Sequence, residues 1–394
     1  MTSSFAFSIP TQIQFGPDIS RQAGVIAKSL VASREGASKT GALVIIDPGI
    51  GGTVWVKEIL ASLQESGLQF LIFDEVKPNP RDEDVYQAAS LLKDKGFGAV
   101  VAIGGGSTID TAKTAALLAT HGGQIGDYAG WAKVPGPVLP LVAIPTTAGS
   151  GSEATCWAVI TDGHSHNKLA IGDRHLAPAV ALVDPSLTLS LPAALTAATG
   201  MDVLTHAIEA YLSALSNPVN DLLALEAIRL VAAHLRQVMT KGDDLEAREA
   251  MMLASTLGGI VINNADVAGV HCLSESMGSL YDAPHGLLNA ILLPYFMAFW
   301  QKGCGERFAH IAGAFGAVPK PEEAVTQVIA LNQWLKFPSL ADIGVKRQDL
   351  QQLAETAASN VSNSSNPVPM AALDYLGILE QAMTGPGVKV NEKG

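Results

Sequence analysis

Charged side chains and cysteines are both scarce in this chain of 394 residues. Asp, Glu, Lys and Arg make up 16% of it, against 48% for hydrophobic residues. This composition excludes a disordered chain and predicts a large buried interior. The cysteines, Cys156, Cys272 and Cys304, form neither a C-x-x-C pair nor a disulfide framework, which fits a reducing compartment.

Basic residues are also in short supply, with 25 Lys and Arg against 37 Asp and Glu. Because phosphate binding needs clustered Lys and Arg, we expect no nucleic-acid partner. The start of the chain lacks the basic segment and apolar run of a signal peptide. The longest strongly apolar segment, residues 287–300, is too short to span a membrane and contains Pro294. The sequence therefore predicts a soluble cytoplasmic protein that does not bind a membrane.

The two halves of the chain carry different hydrophobic patterns. Short apolar strand candidates alternate with helix candidates in the first half, which predicts a parallel sheet covered on both faces. From Pro192 onward the pattern is one of long helices rich in Ala and Leu. We therefore predict an α/β domain over residues 1–188 and an all-α domain over residues 189–394. The strand candidates are residues 42–47, 69–73, 99–103, 140–144, 157–161 and 180–183, and the helix candidates are 19–29, 54–66, 82–95, 108–120, 193–215, 221–239 and 245–260.

A glycine turn, Gly104-Gly105-Gly106-Ser107, lies between a predicted strand and a predicted helix. Glycines let the backbone approach a ligand, and a helix N-terminus attracts phosphate, so the turn is a candidate pyrophosphate site. Ser107 and Asp110 equally fit an ordinary capping box. The chain has no G-x-G-x-x-G, so the standard Rossmann fingerprint is absent.

Two further segments suit a ligand at the carboxyl ends of parallel strands. The hydroxyl-rich loop PTTAGSGSE, residues 145–153, follows a predicted strand and is either a ligand-facing loop or a flexible connection. Asp47 ends the first clear strand, where a carboxylate binds the ribose hydroxyls of NAD and repels the 2′-phosphate of NADP. An Asp before Pro48 is equally typical of a simple turn.

A candidate metal site comes from helices of the second half. Asp202 and His206 are four residues apart and face one side of a helix. A buried Asp needs a strong partner, which is either a metal or a lone histidine. His271 and His285 follow in VHCLSESMGSLYDAPHG, where Pro284 is predicted to begin a new helix and place His285 at a corner. Each histidine alone is more often structural, but together the four residues favour Fe²⁺ or Zn²⁺.

Several segments resemble the signature segments of the iron-containing (group III) alcohol dehydrogenases. They are GGGSTIDTAK, IPTTAGSGSE, TAATGMDVLTHAIEAY and APHGLLNAILLP, and shorter matches such as FGPD, KPNP and FPSLADIG extend through nearly the whole chain. The resemblance implies an α/β N-terminal domain with a parallel sheet that binds the dinucleotide and an all-α C-terminal domain. This is a dehydroquinate synthase-like architecture with a metal in the cleft between the domains. It also implies a homodimer.

The resemblance carries roles to individual residues. The implied metal ligands are Asp202, His206, His271 and His285, and the implied cofactor contacts are Asp47, Asn79, Gly105, Gly106, Ser107, Thr146, Thr147 and Lys168. One position departs from the family, because many members carry a histidine where this chain has Glu275. That carboxylate is either a neutral change or a catalytic group that contacts substrate or relays a proton and disfavours anionic substrates.

The resemblance implies an oxidoreductase that interconverts a primary alcohol and its aldehyde, or a small ketone, by metal-assisted hydride transfer with NAD(H). The ligand set does not separate iron from zinc. Two alternatives remain: a carbon–oxygen lyase of the 3-dehydroquinate synthase type, which also uses NAD and a metal, and a non-enzymatic dinucleotide-binding protein. The Asp-x-x-x-His pair and the hydroxyl-rich loop favour the dehydrogenase.

Overall fold

A computed structural model describes residues 4–33, 40–164 and 167–385. The chain forms two compact units that divide at Leu191 and Pro192, close to the boundary predicted after residue 188. Two short segments group differently from the prediction: Met1–Ser8 groups with the helical unit, and Asp243–Met252 groups with the α/β unit. One unit comprises Ile9–Leu191 and Asp243–Met252, and the other comprises Met1–Ser8, Pro192–Gly242 and Leu253–Gly394.

The first unit is built from strands that alternate with helices. The strands are β1 (Gln12–Phe15), β2 (Ala42–Ile46), β3 (Phe70–Phe73), β4 (Ala99–Gly104), β5 (Gly130–Trp131), β6 (Leu141–Pro145), β7 (Trp157–Thr161), β8 (Lys168–Gly172) and β9 (Val180–Val183). The helices are α1 (Ala23–Ala32), α2 (Val54–Glu65), α3 (Asp82–Asp94) and α4 (Gly106–His121), with 3-10 turns at Ile19–Gln22, Ile125–Tyr128, Ser152–Ala154, Arg174–Leu176 and Pro185–Thr188.

Six of these strands form one parallel sheet, in the order β1-β9-β6-β4-β2-β3. Successive side chains of a strand point to opposite faces. In β2, Leu43 and Ile45 accordingly join a core with residues of α3 and α4, whereas Val44 and Ile46 join a second core with residues of α1 and α2. The predicted parallel sheet with two covered faces is confirmed.

The strand predicted over residues 157–161 does not belong to that sheet, and this corrects the sequence-based prediction. β7 pairs antiparallel with β8 in a separate sheet of order β5-β8-β7. Its side chains alternate between half-buried and buried positions, the pattern of a sheet covered on one face only. The sequence analysis missed β1, β5 and β8, which are short or contain polar residues.

The described residues of the second unit form helices joined by turns and loops, with no strand among them. Its helices are α5 (Ala193–Leu212), α6 (Pro218–Thr240), α7 (Leu245–Ala265), α8 (Gly269–Tyr281), α9 (His285–Trp300), α10 (Gly305–Ala314), α11 (Pro321–Leu335), α12 (Leu350–Ala358) and α13 (Ala372–Ala382). The first residues of α7 belong to the α/β unit. Within the described parts of the chain, no helix is long and apolar enough to cross a membrane.

Candidate metal centre and cofactor loops

The four predicted metal ligands come from three helices of the second unit. Asp202 and His206 lie one turn apart on α5, and His271 lies in the first turn of α8. His285 is the first residue of α9, with Pro284 directly before it, so the predicted corner is present. A Cβ atom on the next residue, Gly286, would lie 2.6 Å from the carbonyl oxygen of Ala198 on α5. Glycine at this position therefore lets the first turn of α9 approach α5 closely.

The ligand atoms of this cluster lie close together. Each of the four residues offers one nitrogen or carboxylate oxygen, and these atoms all lie within 4.8 Å of one another. The Nε2 atoms of His206 and His285 each lie 3.8 Å from Oδ1 of Asp202. A tetrahedral shell with bonds of about 2.1 Å needs ligand atoms about 3.4 Å apart. The arrangement and its donor types therefore fit a divalent metal ion.

Burial and charge shift the ionisation of two members. Burial opposes ionisation of Asp202, but His206, His285 and the other nearby donors outweigh it, so the pKa of that carboxyl is lowered. Burial also opposes the charged form of His271, but the Glu209 carboxylate outweighs it and raises the pKa of the imidazole. His285 is the most accessible ligand, with 30% of its side chain exposed.

Two residues that the sequence analysis missed contact these ligands. Glu209 on α5 is fully buried; its Oε1 accepts a 2.7 Å hydrogen bond from the backbone N–H of Val270, and its Oε2 contacts Nδ1 of His271. The Asn289 side chain on α9 places Nδ2 2.7 Å from Oδ1 of Asp202. Helical spacing could have indicated both, since Glu209 follows Asp202 by two turns and Asn289 follows His285 by one.

The glycine turn and the hydroxyl-rich loop of the first unit lie side by side. Strands β4 and β6 are parallel neighbours with Gly104 opposite Pro145, so both loops leave the same edge of the sheet. A Cβ atom on Gly105 would lie 3.2 Å from Oγ1 of Thr147, and one on Gly106 only 2.7 Å from Oγ of Ser150. Side chains larger than glycine would push the loops apart.

Ser107 and Thr146, the other predicted cofactor contacts in these two loops, lie next to the glycines and Thr147. Ser107 lies in the first turn of α4, and the backbone N–H of Thr146 donates a 3.1 Å hydrogen bond to the carbonyl of Gly104. The structure thus brings together five predicted cofactor contacts, which are Gly105, Gly106, Ser107, Thr146 and Thr147.

The capping box considered for Ser107 and Asp110 is not formed. Helix α4 begins at Gly106, and its N-terminus has no side-chain cap. The Asp110 carboxylate instead accepts hydrogen bonds from the Ser152 hydroxyl at 2.5 Å and from the backbone N–H of Val159 at 3.0 Å. Asp110 therefore links α4 to the segment after β6 that contains Ser152 and Val159.

Lys113, one turn further along α4, is a buried cation that the sequence analysis also missed. Its Nζ donates at 3.0 Å to the Ser152 hydroxyl, at 3.0 Å to the hydroxyl and carbonyl of Thr155, and at 2.7 Å to the carbonyl of Trp157. Burial lowers the pKa of Lys113 and raises that of Asp110. Since buried donors and acceptors fix the loop, its interpretation as a flexible connection is wrong.

The last three predicted cofactor contacts lie elsewhere in the first unit. Asp47 follows β2, and its Oδ1 accepts a 2.8 Å hydrogen bond from the backbone N–H of Gly49, so the turn expected there is present. Asn79 has a left-handed backbone with φ of 53°, which Asn tolerates. Its Oδ1 lies 3.5 Å from Nζ of Lys168. The structure therefore pairs Asn79 with Lys168 and leaves Asp47 at the end of its strand.

Comparison with known protein families identifies the family of this chain. Residues 10–185 match the family described as iron-containing alcohol dehydrogenase, and residues 196–383 match the C-terminal part of the Fe-containing alcohol dehydrogenase family. The chain belongs to the iron-containing alcohol dehydrogenase family. This confirms the predicted family, and with it the prediction of an alcohol dehydrogenase; the lyase alternative is not favoured.

Relatives of this dehydrogenase match it over nearly their whole length. The NAD-dependent methanol dehydrogenase of Bacillus methanolicus is 38% identical over 96% of this chain and 99% of its own. The crystal structure of a 1,3-propanediol oxidoreductase has a TM-score of 0.92 and 37% identity, covering 96% of this chain and 100% of that one. That of sulfoacetaldehyde reductase from Bifidobacterium kashiwanohense in complex with NAD⁺ has a TM-score of 0.86 and 25% identity, covering 97% and 100%.

Glu275, for which the family resemblance led us to expect a histidine, lies on α8 one turn after His271. It is half-buried, and its Oε2 accepts a 2.8 Å hydrogen bond from the side-chain Nδ2 of Asn360. Asn360 belongs to the polar segment at residues 359–369, which forms a 3-10 turn at Val361–Ser365. The segment also supports the start of α8, because Asn366 accepts a 3.0 Å hydrogen bond from the N–H of Gly269.

Proposed function

We propose that this dehydrogenase interconverts a small uncharged primary alcohol and its aldehyde. NAD(H) carries the hydride, and iron in the divalent state is held by Asp202, His206, His271 and His285. The observation that carries the proposal is the buried cluster whose ligand atoms lie within 4.8 Å of one another. Three nitrogen ligands and one carboxylate oxygen are a set that holds Fe²⁺ or Zn²⁺. The family name favours iron.

Such a metal, when bound, supplies Lewis-acid polarisation of the alcohol or carbonyl oxygen. The protein's part is to hold its ligands in fixed positions. Asp202 and His206 share a helix, so their spacing is fixed by the turn of α5. His285 is the ligand with the greatest exposure, at 30% of its side chain, and small molecules reach the cluster most readily from its side.

For the cofactor, we assign the pyrophosphate to Gly105, Gly106 and Ser107. Backbone N–H groups at the start of α4 and the positive end of its dipole favour an anion there. Thr146 and Thr147 add hydroxyl donors from the adjoining loop. Support for NAD comes from the relative named NAD-dependent and from the structural neighbour in complex with NAD⁺.

The remaining predicted cofactor contacts, Asp47, Asn79 and Lys168, are assigned to parts of the cofactor other than the pyrophosphate. We assign the ribose hydroxyls next to the adenine to Asp47, whose position at the end of a parallel strand is the one that an acidic residue takes in NAD-binding sheets. Asn79 and Lys168, with Oδ1 and Nζ 3.5 Å apart, form a polar pair that can contact the cofactor together.

We propose that Glu275 acts on the substrate side. Its carboxylate lies on the helix of His271, one turn further on, and its negative charge helps to raise the pKa of that imidazole. A carboxylate in this place disfavours anionic substrates by repulsion. This supports an uncharged alcohol as the substrate.

We further propose that the enzyme works as a cytoplasmic homodimer. Cys156, Cys272 and Cys304 are all free thiols, as a reducing compartment allows. The dimer is what the family resemblance implies. Light scattering coupled to size-exclusion chromatography measures the mass directly; a dimer has twice the 40.9 kDa of one chain.

The test of the proposed activity is a panel of aldehydes and small ketones assayed with NADH. The purified protein is stripped of metal and then loaded with Fe²⁺ or with Zn²⁺. We expect NADH consumption that depends on the added metal and is faster with uncharged aldehydes than with aldehydes that bear a carboxylate. Turnover equally fast in the stripped protein, or none with any member of the panel, would refute the proposal.

A further inference from the structure

We propose that Glu209 is a positioning residue of the metal centre. It holds the proton of His271 on Nδ1 and thereby keeps Nε2 free to bind the metal. The inference rests on the proposed metal site.

Glu209 is placed by the same helix that supplies two of the ligands. It follows Asp202 by two turns of α5 and His206 by one, so the three share a face. Its side chain has no solvent exposure. The carboxylate is therefore fixed against α8 by the packing of α5.

Both carboxylate oxygens meet neighbouring groups of the first turn of α8. Oε1 accepts a 2.7 Å hydrogen bond from the backbone N–H of Val270, and Oε2 contacts Nδ1 of His271. One bond fixes the helix backbone and the other fixes the imidazole that projects from it. The backbone at the start of α8 and the orientation of the His271 ring are thus both fixed by contacts to one buried carboxylate.

The other ring nitrogen faces the remaining ligands. Nε2 of His271 lies 3.2 Å from Nδ2 of Asn289, the same amide nitrogen that lies 3.1 Å from Nε2 of His285. A metal needs an unprotonated nitrogen, and a carboxylate that already accepts a hydrogen bond from the N–H of Val270 is suited to accept one from Nδ1–H of His271 as well. Glu209 therefore selects the tautomer that ligation requires.

Charge balance supports the same role. In the described part of the chain, the ion-pair partner of Glu209 is His271, and the carboxylate contacts no Lys or Arg. A buried carboxylate needs a compensating charge. With a divalent cation bound, Asp202 and Glu209 would supply the two negative charges that balance it in this buried region.

The experiment compares Glu209→Gln and Glu209→Asp with the wild type, using Co²⁺ as the probe. Glu226→Gln on α6 is the matched control, because that carboxylate is exposed and pairs with Arg229. The Kd for Co²⁺ is measured by competition with a chelator, and the ligand geometry by the visible absorption of the bound ion. Thermal unfolding of the metal-free proteins reports any purely structural effect.

Glutamine keeps the size of the side chain but replaces one carboxylate oxygen with an NH₂ donor, which would then face either the N–H of Val270 or Nδ1 of His271. We expect Glu209→Gln to weaken Co²⁺ binding by about 10- to 100-fold and to change the absorption spectrum. Glu209→Asp, which keeps an acceptor, recovers part of the affinity, and Glu226→Gln binds as the wild type does. The Asp variant also serves if the Gln variant does not fold.

A wild-type Kd and spectrum in folded Glu209→Gln would overturn the inference, as would a loss of thermal stability without any change in the Kd. Failure of the proposed function gives a different result. In that case wild type and His271→Ala bind Co²⁺ equally, so that the cluster itself is not a metal site.

Discussion

The buried ammonium group of Lys113 donates a 3.0 Å hydrogen bond to the hydroxyl of Ser152, and so joins α4 to the loop that follows β6. Asp110, one turn earlier, accepts from the same hydroxyl. The glycine turn and the hydroxyl-rich loop therefore share one buried network of hydrogen bonds.

Replacing Lys113 by methionine removes the cation of that network and leaves the buried Asp110 carboxylate without its compensating positive charge. We expect a loss of about 3 kcal/mol in the free energy of unfolding, the cost of an unpaired buried charge. The KM for NAD⁺ rises because the loop shifts relative to α4. Urea unfolding and steady-state kinetics measure the two effects. Lys93→Met, at an exposed site on α3, is the control. If Lys113→Met is destabilised but its KM for NAD⁺ is unchanged, the hydrogen-bond network does not contribute to cofactor binding.

Asp47 is expected to set the choice between NAD and NADP. Its replacement by serine removes the charge that repels a 2′-phosphate, so the ratio of kcat/KM for NAD⁺ to that for NADP⁺ should fall by about tenfold or more, or about 1.4 kcal/mol. Asp74→Ser is the matched control, because Asp74 is exposed and follows the neighbouring strand β3. A wild-type enzyme that already prefers NADP⁺ would contradict this role.

Glu275→Gln tests the substrate-side role of that carboxylate. A like charge about 10 Å from the substrate's own is worth about 1.7 kcal/mol at an effective dielectric of about 20, so we expect a gain of roughly 10- to 20-fold in kcat/KM for an aldehyde that bears a carboxylate. Activity with an uncharged aldehyde of the same length should change little. Asn360→Ala, which removes the hydrogen-bond partner but keeps the charge, should show no such gain. Equal effects on both aldehydes would indicate a structural role.

Metal affinity should depend on pH through His271. The pKa of this imidazole is raised by Glu209, so its protonated form persists to a higher pH than usual, and the metal must displace that proton. Apparent affinity is therefore complete above the pKa and falls by about tenfold per pH unit below it. The Kd for Co²⁺ measured between about pH 8 and pH 5.5 tests the expectation. A Kd that stays constant across this interval would contradict it.

The sequence predicted the sheet and the four clustered residues because both rest on local periodicity. The strands of the parallel sheet that the sequence predicted are continuous apolar runs, and Asp202 and His206 are one helical turn apart. The corner at Pro284 followed from the conformational limits of proline. The strands, the Asp202–His206 pair and the corner are each fixed by residues close together in the chain, whereas the meeting of this pair with His271 and His285 was implied by the family resemblance.

Features that depend on distant contacts were missed. β8 is a strand because it pairs with β7, and its first three residues are only half-buried, so the sequence showed no strong strand pattern there. Lys113 was not singled out, because its hydrogen-bond partners include carbonyl groups about forty residues later in the chain. Glu209 lies within an apolar helix, but its partner on α8 is 62 residues away. The roles of these residues follow only from tertiary structure.

The measurement that tests the central claim most directly is bound metal and NADH turnover in wild type, His271→Ala and His285→Ala. His234→Ala, whose imidazole contacts its own helix through the carbonyl of Leu230, is the control. We expect about one divalent metal per chain and turnover in wild type and control, and neither in the two ligand variants, which stay folded. Full metal content and full turnover in either ligand variant would contradict the account.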